Sequence, residues 1–154
     1  MRFLTTICTF LLALLTTLTT AQVNQCTAQP TTPGHCTTLT WNDATTSSST
    51  APTTVHCQTT CSNIFSDPGD WQVDFTKQPT GYIDTIIHSP CGFAVGRGAG
   101  EPNDYRFLMA NQDIANILND VTTRFAGLHG GRVSANGTMV CDGKMATWFV
   151  KRIA

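Results

Sequence analysis

Hydrophobic residues recur along the chain with two periods, one typical of helices and one of strands. The helical period predicts an amphipathic helix from Asn111 to Ala126, with Asn111 as its N-cap and Gly127 ending it. Asp113 in the first turn and Arg124 near the end both suit the helix dipole. The predicted apolar stripe consists of Ile114, Ile117, Leu118, Val121 and Phe125.

A shorter helix is predicted to begin after Thr53 or Thr54 and to run to about Phe65, where an Asp-Pro-Gly sequence ends it. Cys57 and Cys61 are four residues apart in it and therefore share one face. Their Cβ atoms point in nearly the same direction, which disfavours a bond between them. We expect each to bond to a different partner.

Alternation with period two and short apolar runs predict strands over residues 71–75, 82–87, 91–95 and 105–109. Residues 39–41 form a further candidate strand. The pattern predicts an α+β fold, a two-layer sandwich in which two helices cover a mainly antiparallel sheet of four to six strands.

The last part of the chain contains two dipeptides of the hairpin-turn type, Asn136-Gly137 and Asp142-Gly143. They divide this part into three predicted strands of an antiparallel meander, residues 131–135, 138–141 and 145–153. Asn136 also begins the one N-glycosylation sequon, Asn-Gly-Thr. Because the sequon falls on a predicted exposed turn, Asn136 is a candidate glycosylation site.

Residues 1–21 have the three-part pattern of a secretory signal peptide, with a positive charge, an apolar centre and small residues ending in Ala21. The alternative is an N-terminal membrane anchor, but interspersed threonines shorten the apolar run below the roughly 20 residues of a membrane span. No other stretch approaches that length, so we expect no transmembrane segment after cleavage. The expected organisation is a signal peptide, a Thr/Pro-rich arm over 22–35 and a domain over 36–154, secreted to the extracellular space.

The chain has seven cysteines, and cleavage of the leader would remove Cys8. An even set in an exported protein indicates three disulfides, which would staple the fold, with fifteen alternative pairings. A zinc site is the alternative, since histidines adjoin two of the cysteines, but paired Cys-x-x-Cys spacings are missing. We therefore expect no metal and no cofactor. The six remaining cysteines are Cys26, Cys36, Cys57, Cys61, Cys91 and Cys141.

Charged residues make up only 12% of the chain, and the net charge is -1. A basic excess of the kind that binds nucleic acid is missing, so we expect no nucleic-acid partner. Residues 121–154 do carry a local excess that could face an anionic membrane, a polysaccharide or a channel mouth. The preferred interpretation is an ordinary solvated surface compensated by acids elsewhere. The candidate interaction patch consists of Arg124, Arg132, Lys144, Lys151 and Arg152.

Signals for catalysis are weak. The sequence Gly96-x-Gly98-x-Gly100 lacks the context of a phosphate-binding loop and is interpreted as a strand connection. One acid–base set of the type used by small secreted ribonucleases is conceivable, but only its residue types support it. That set consists of His88, Glu101, His129 and Arg97. We expect no catalytic residue, with a ribonuclease as the least favoured function.

Several short motifs occur in a specific order. The sequence Cys91-Gly92-Phe93 precedes a helix that opens with Asn-Gln-Asp-Ile, and Gly-Arg-Val at 131–133 leads through Gly-Thr-Met-Val-Cys to Trp148. Upstream, Trp41-Asn42 follows a cysteine. From about residue 36 to 150 the chain thus resembles the necrosis-inducing-factor effector domain of fungi, whose fold is in turn similar to that of virus-encoded killer toxins of smut fungi.

The resemblance implies that four cysteines belong to the family pattern, namely Cys36, Cys57, Cys91 and Cys141. Cys26 and Cys61 are extra, which suggests that they pair with each other. It further implies a non-enzymatic secreted effector of a plant-associated fungus that acts on host cells, causing necrosis or modulating defence. The alternative is a killer-toxin-like protein that acts on competing fungi through channel or membrane interference. The partner would be a host or microbial surface target (protein, channel or wall polysaccharide), and the protein is expected to be a monomer.

Overall fold

The computed structural model of the protein describes residues 23–27, 33–46, 50–67 and 69–153. The predicted signal peptide, with Cys8, lies outside these residues, as does part of the predicted arm. The elements in chain order are β1 Cys36–Thr38, β2 Asn42–Asp43, α1 Thr54–Ser66, β3 Asp70–Asp74, β4 Ile83–Ile87, β5 Gly92–Arg97, β6 Arg106–Ala110, α2 Asn111–Phe125, a 3-10 helix Ala126–His129, β7 Ala135–Cys141 and β8 Lys144–Lys151.

Six of the strands form one sheet, and the other two form a separate small sheet. The six-stranded sheet has the order β1-β7-β8-β5-β4, with β2 pairing to β7 next to β1. The small sheet pairs β3 with β6. Every one of these pairs is antiparallel. The predicted α+β fold with two helices and a mainly antiparallel sheet is confirmed.

The core lies on one face of the large sheet, where α1, α2 and the small sheet pack. Trp148 of β8 is directly opposite Val95 of β5, and Val150 is opposite Phe93, so these side chains share that face. All four are fully buried, and the stripe of α2 packs into the same cluster. Burial of these apolar side chains is the main stabilising contribution to the fold.

Helix α1 begins as predicted, because the Thr53 hydroxyl accepts a hydrogen bond from the His56 amide at 3.4 Å. The prediction that Asn111 caps α2 is wrong. Asn111 lies inside the first turn, and the Asp113 carboxylate accepts the amide of Ala110 at 2.9 Å. Helix α2 ends at Phe125, one residue before the predicted end, but Gly127 does not end the helical run, because the chain continues through the 3-10 helix to Gly130, which has a φ of 60°.

The two hairpin dipeptides behave differently. Asp142 and Gly143 have φ angles of 50° and 77° and join β7 to β8 in a two-residue turn, as predicted. Asn136-Gly137 is instead extended backbone in the middle of β7, so the three-strand meander is wrong. Gly137 lies against the Trp148 ring and the Thr40 carbonyl, where a side chain would collide with both. The glycine is there for close packing, not for a turn.

The candidate strand at residues 39–41 is a connection between β1 and β2 instead. These residues connect two strands that pair with different parts of β7, and their own backbone is not part of that pairing. Leu39 and Thr40 still donate their amides to the Thr138 carbonyl, at 2.8 and 3.3 Å. The structure therefore has two short strands on either side of the residues where one strand was predicted.

Three disulfides join the elements. Cys57 bonds to Cys91 and Cys61 to Cys26, so the two cysteines of α1 have different partners, as their spacing predicts. The Cys26–Cys61 bond is the pairing that the family resemblance suggested. The third bond, Cys36–Cys141, links directly opposed residues of β1 and β7. Together they fasten the N-terminal residues to α1, α1 to β5, and β1 to β7.

Asn111 connects three elements through its buried side chain. Its Nδ2 donates to the carbonyls of Ile64 and Asp67 at the end of α1, each at 2.6 Å. Its Oδ1 accepts from the Trp71 indole at 2.6 Å. The amide thereby satisfies carbonyls that a helix C-terminus leaves without partners.

We expect Asn111→Ala to lower the free energy of unfolding by about 2–3 kcal/mol, because it removes the partner of a buried carbonyl, a partly buried carbonyl and an indole N–H. Denaturant unfolding of the oxidised protein measures this. The control is Thr123→Ala, an exposed residue of the same helix, which should not lower stability by more than about 0.5 kcal/mol. Equal effects of the two changes would contradict the role of Asn111.

Candidate functional site

The four side chains considered for acid–base catalysis do not form one site. His129 Nε2 lies 2.6 Å from Asp43 Oδ2, beside β2. Glu101 Oε1 accepts the backbone amide of Met145 at 2.7 Å. His88 is exposed just after β4. The four side chains therefore have different partners, and no two of them form a nucleophile–base or acid–base pair.

Arg97 has a structural role. Its Nη2 donates to the carbonyls of Phe75, Gln78 and Asn103, at 3.3, 3.2 and 2.8 Å. The guanidinium also lies 5.5 Å from the centre of the Phe75 ring. Three loop carbonyls and a ring therefore hold this cation, and it fastens the loops that flank β3 and β6.

The five residues of the candidate interaction patch lie in more than one place. Arg132 and Arg152 come together, because they donate to the neighbouring carbonyls of Ala51 and Thr50, at 3.0 and 2.9 Å. Lys151 precedes Arg152 in sequence and is exposed, with its Nζ 5.6 Å from the centre of the Phe149 ring. Lys144 lies at the other end of β8. At the rise per residue of a strand it is roughly 23 Å from Lys151. Its Nζ lies 4.0 Å from Glu101 Oε2.

Arg124, the fifth member, lies at the end of α2. Its guanidinium stacks on Trp41, 4.3 Å from the ring centre. This contact places it beside an open polar groove of about 370 Å³ between α2 and the β1–β2 segment. The groove is lined by Cys36, Thr37, Thr38, Trp41, Asp113, Asn116, Asn119 and Asp120. The polar face of α2, with residues at helical spacing, is the signal in the sequence that could have indicated it.

Asn136 lies in β7 and not on a turn, so the predicted setting of the sequon is wrong. Its side chain is half-buried, and its Oδ1 accepts from Asn42 Nδ2 at 3.3 Å. The sequence misled here because Asn-Gly is also compatible with a strand when a neighbour requires a glycine. Glycosylation of Asn136 stays a prediction.

One cluster that the sequence did not indicate surrounds His35, just before β1. The Nε2 atom of His35 lies 3.2 Å from Asp70 Oδ2, and Nδ1 lies 3.6 Å from Asp142 Oδ1. The backbone amides of His35 and Cys36 donate to the Asp113 carboxylate at 2.9 and 3.2 Å. This cluster connects β1 with β3, α2 and the β7–β8 turn.

The cluster favours the charged imidazolium. The hydrogen bond to Asp70 raises the pKa of His35 above its ordinary value of 6.5 and outweighs the opposing effect of burial. The carboxylates of Asp142 and Asp113 also raise the pKa of His35.

Asp43 lies in β2, away from this cluster. Burial raises the pKa of Asp43, but hydrogen bonds from His129 and Thr45 outweigh the effect of burial and lower that pKa.

Metal binding finds no support in this geometry. The cysteines next to His35 and His56 are in disulfides. Within the described ranges, no three His, Cys, Asp or Glu side chains are placed to hold a metal ion. Nor does any helix of the described residues have the length and apolar character needed to cross a bilayer.

The fold and its three disulfides define a small, disulfide-stapled α+β protein. The sequence profile of the Hce2 family, pathogen effectors proposed to act as necrosis-inducing factors, matches residues 35–141. This range is more than half of the chain, and the protein belongs to that family. It runs from the His35 cluster to Cys141 and includes both helices. No curated protein matches the chain.

We expect Asp70→Asn to lower the pKa of His35, because it removes the hydrogen-bonding carboxylate, and NMR titration of the imidazole measures this. Since the folded-state pKa is raised, the stabilisation is present below pH 6.5 and is lost as the pH rises through the folded-state pKa. Asp70→Asn should therefore lower the free energy of unfolding at pH 5.5 by up to about 1 kcal/mol and have less effect at pH 8.5.

The control for this titration is Asp74→Asn on the same strand. The Asp74 carboxylate accepts the amide of Thr76 at 2.7 Å and lies four residues from Asp70. It should leave the His35 titration unchanged. A titration of His35 that is the same in the Asp70→Asn variant as in the unmodified protein would refute the assigned contact.

Proposed function

We propose that the protein is a secreted fungal effector that acts on plant host cells without catalysis, by binding a surface target. The match of residues 35–141 to the Hce2 family is the single observation that carries this proposal. Three disulfides support export, because such bonds persist in oxidising compartments. The scattered positions of His88, Glu101, His129 and Arg97 support action by binding.

In this proposal residues 1–21 are removed on export and residues 22–35 precede the domain. The disulfides then preserve the fold outside the cell. Cys36–Cys141 closes a loop with a sequence separation of 105 residues, against 35 and 34 for the other two bonds. In the chain-entropy account a longer loop restricts the unfolded chain more, with about 3–5 kcal/mol for each bond. The bond between β1 and β7 is therefore the largest of the three contributions.

We expect purified, oxidised protein covering residues 22–154 to cause electrolyte leakage or a defence response when infiltrated into leaves. The matched control is the same protein reduced and alkylated, which should be inactive because five of the six bonded cysteines are buried in the core and have no room for an added alkyl group. Unresponsive leaves together with arrested fungal growth would favour the killer-toxin-like alternative. RNA degradation that is lost on His129→Ala would overturn the non-catalytic proposal.

We further propose that an anionic target surface contacts the basic end of β8, where Lys151 precedes Arg152 and Arg152 lies near Arg132. The two arginines are the part of the candidate patch that the fold brings together. Their carbonyl contacts to residues 50 and 51 hold the two arginines in place.

We expect Lys151→Glu combined with Arg152→Glu to reduce activity in the leaf assay at least tenfold while the melting temperature changes by only a few degrees. Lys144→Glu, at the opposite end of the same strand, is the control and should retain activity. Activity that survives the double change, or falls equally with Lys144→Glu, would remove this surface from the proposal.

A further inference from the structure

A second groove, of about 260 Å³, lies between α1, Trp71 and the end of β4. Its walls are mainly apolar, because Ile64 projects from α1 and two isoleucines project from β4. Thr60 and Asn63 of α1 also line it. The other lining residues are Asp67, Trp71, His88 and Ser89.

The strand beside this groove is the edge of the large sheet. β4 pairs with β5 on one side, and no strand of the described residues pairs with its other side. An edge of this kind presents amide and carbonyl groups that can pair with another extended chain. The pairing register of β4 shifts between Thr85 and Ile87, at a bulge. Bulges re-aim side chains and interrupt long edge-to-edge pairing.

The groove is held in shape by contacts already present in the fold. The Trp71 indole donates to Asn111 at 2.6 Å. The Thr60 hydroxyl lies 3.1 Å from the Cys91 carbonyl and 2.9 Å from the Ser89 hydroxyl. The Cys57–Cys91 disulfide joins α1 to the start of β5. Binding would therefore require little rearrangement of the groove, which reduces its entropic cost.

The size of the groove favours one kind of occupant. Small-molecule sites have volumes of about 300–1,000 Å³, and this groove is smaller. It fits one or two aliphatic side chains. An apolar groove that lies between a helix and a free strand edge is the arrangement in which a peptide adds a strand and inserts alternate side chains.

Charge indicates which peptide would fit. Asp67, at the end of α1, is exposed and lines the groove. An adjoining cavity of about 180 Å³ is lined by Asp67, Gly69, Asp70 and Trp71. The Asp70 carboxylate is already paired with His35, so Asp67 is the carboxylate that a lysine or arginine of the occupant would complement.

We propose that this groove binds an extended peptide segment of a partner protein. The segment pairs with the free edge of β4, places an aliphatic side chain between Ile64, Trp71 and Ile87, and sets a lysine or arginine beside Asp67. This inference is independent of the proposed effector function, because it concerns peptide binding by the purified protein. The bulge in β4 disfavours a second copy of the chain as the occupant, since it interrupts a long edge-to-edge pairing.

The test selects binders from a displayed library of random ten-residue peptides on the oxidised protein and maps them by amide hydrogen exchange. We expect selected peptides to share an aliphatic and a basic residue, and the amides of β4 to gain protection. Ile87→Lys should weaken binding at least tenfold. Ile83→Lys is the matched control, because Ile83 lies on the same strand but lines a different groove, and it should change affinity less than twofold.

A second variant guards against loss of folding in Ile87→Lys. Asp67→Lys changes an exposed side chain and should weaken binding of the basic peptides, whereas Asp104→Lys, also exposed, should not. A library without a binder of β4, or equal effects of the Ile83 and Ile87 changes, would overturn the proposal. Concentration-dependent dimers that Ile87→Lys abolishes would overturn it too, because a second copy would then be the occupant.

Discussion

The carboxylate of Asp113 is the interaction on which the arrangement of the sheet edge depends. It accepts three backbone amides, from Ala110, His35 and Cys36, and so joins the start of α2 to the start of β1. Gly34 is needed beside it, because a side chain at that position would overlap the carboxylate. Asp113 is buried, and the three amide hydrogen bonds compensate its carboxylate for the hydration that it loses in the core.

The consequences extend to both grooves. With β1 fixed at its first residue, the Cys36–Cys141 bond and the His35 contacts define one wall of the polar groove along α2. At the other edge of the sheet, Asn111, two residues before Asp113, fixes Trp71 and the end of α1, which are walls of the β4 groove. The first turn of α2 thus organises both edges of the same sheet.

Local patterns in the sequence predicted the two helices, the fold class and the turn at Asp142-Gly143. They failed at Asn136-Gly137, because its conformation is decided by Trp148 on the neighbouring strand and not by the dipeptide itself. They also failed at the start of α2, where the carboxylate of Asp113 accepts the amide of Ala110, three residues earlier. The polar face of α2 indicates one wall of the polar groove, but the His35 cluster and the β4 groove could not be predicted, since each joins residues that are far apart in sequence.

The three disulfides overlap along the chain. The loop closed by Cys26–Cys61 begins before Cys36 and ends within the loop closed by Cys36–Cys141, which also encloses Cys57–Cys91. Any single peptide bond cut between residues 26 and 141 therefore leaves both fragments covalently attached. A peptidase that nicks an exposed loop within this range releases nothing, and the two parts stay at high local concentration. For a protein exposed to digestive enzymes, this disulfide arrangement means that one cleavage between residues 26 and 141 does not separate the chain into two pieces.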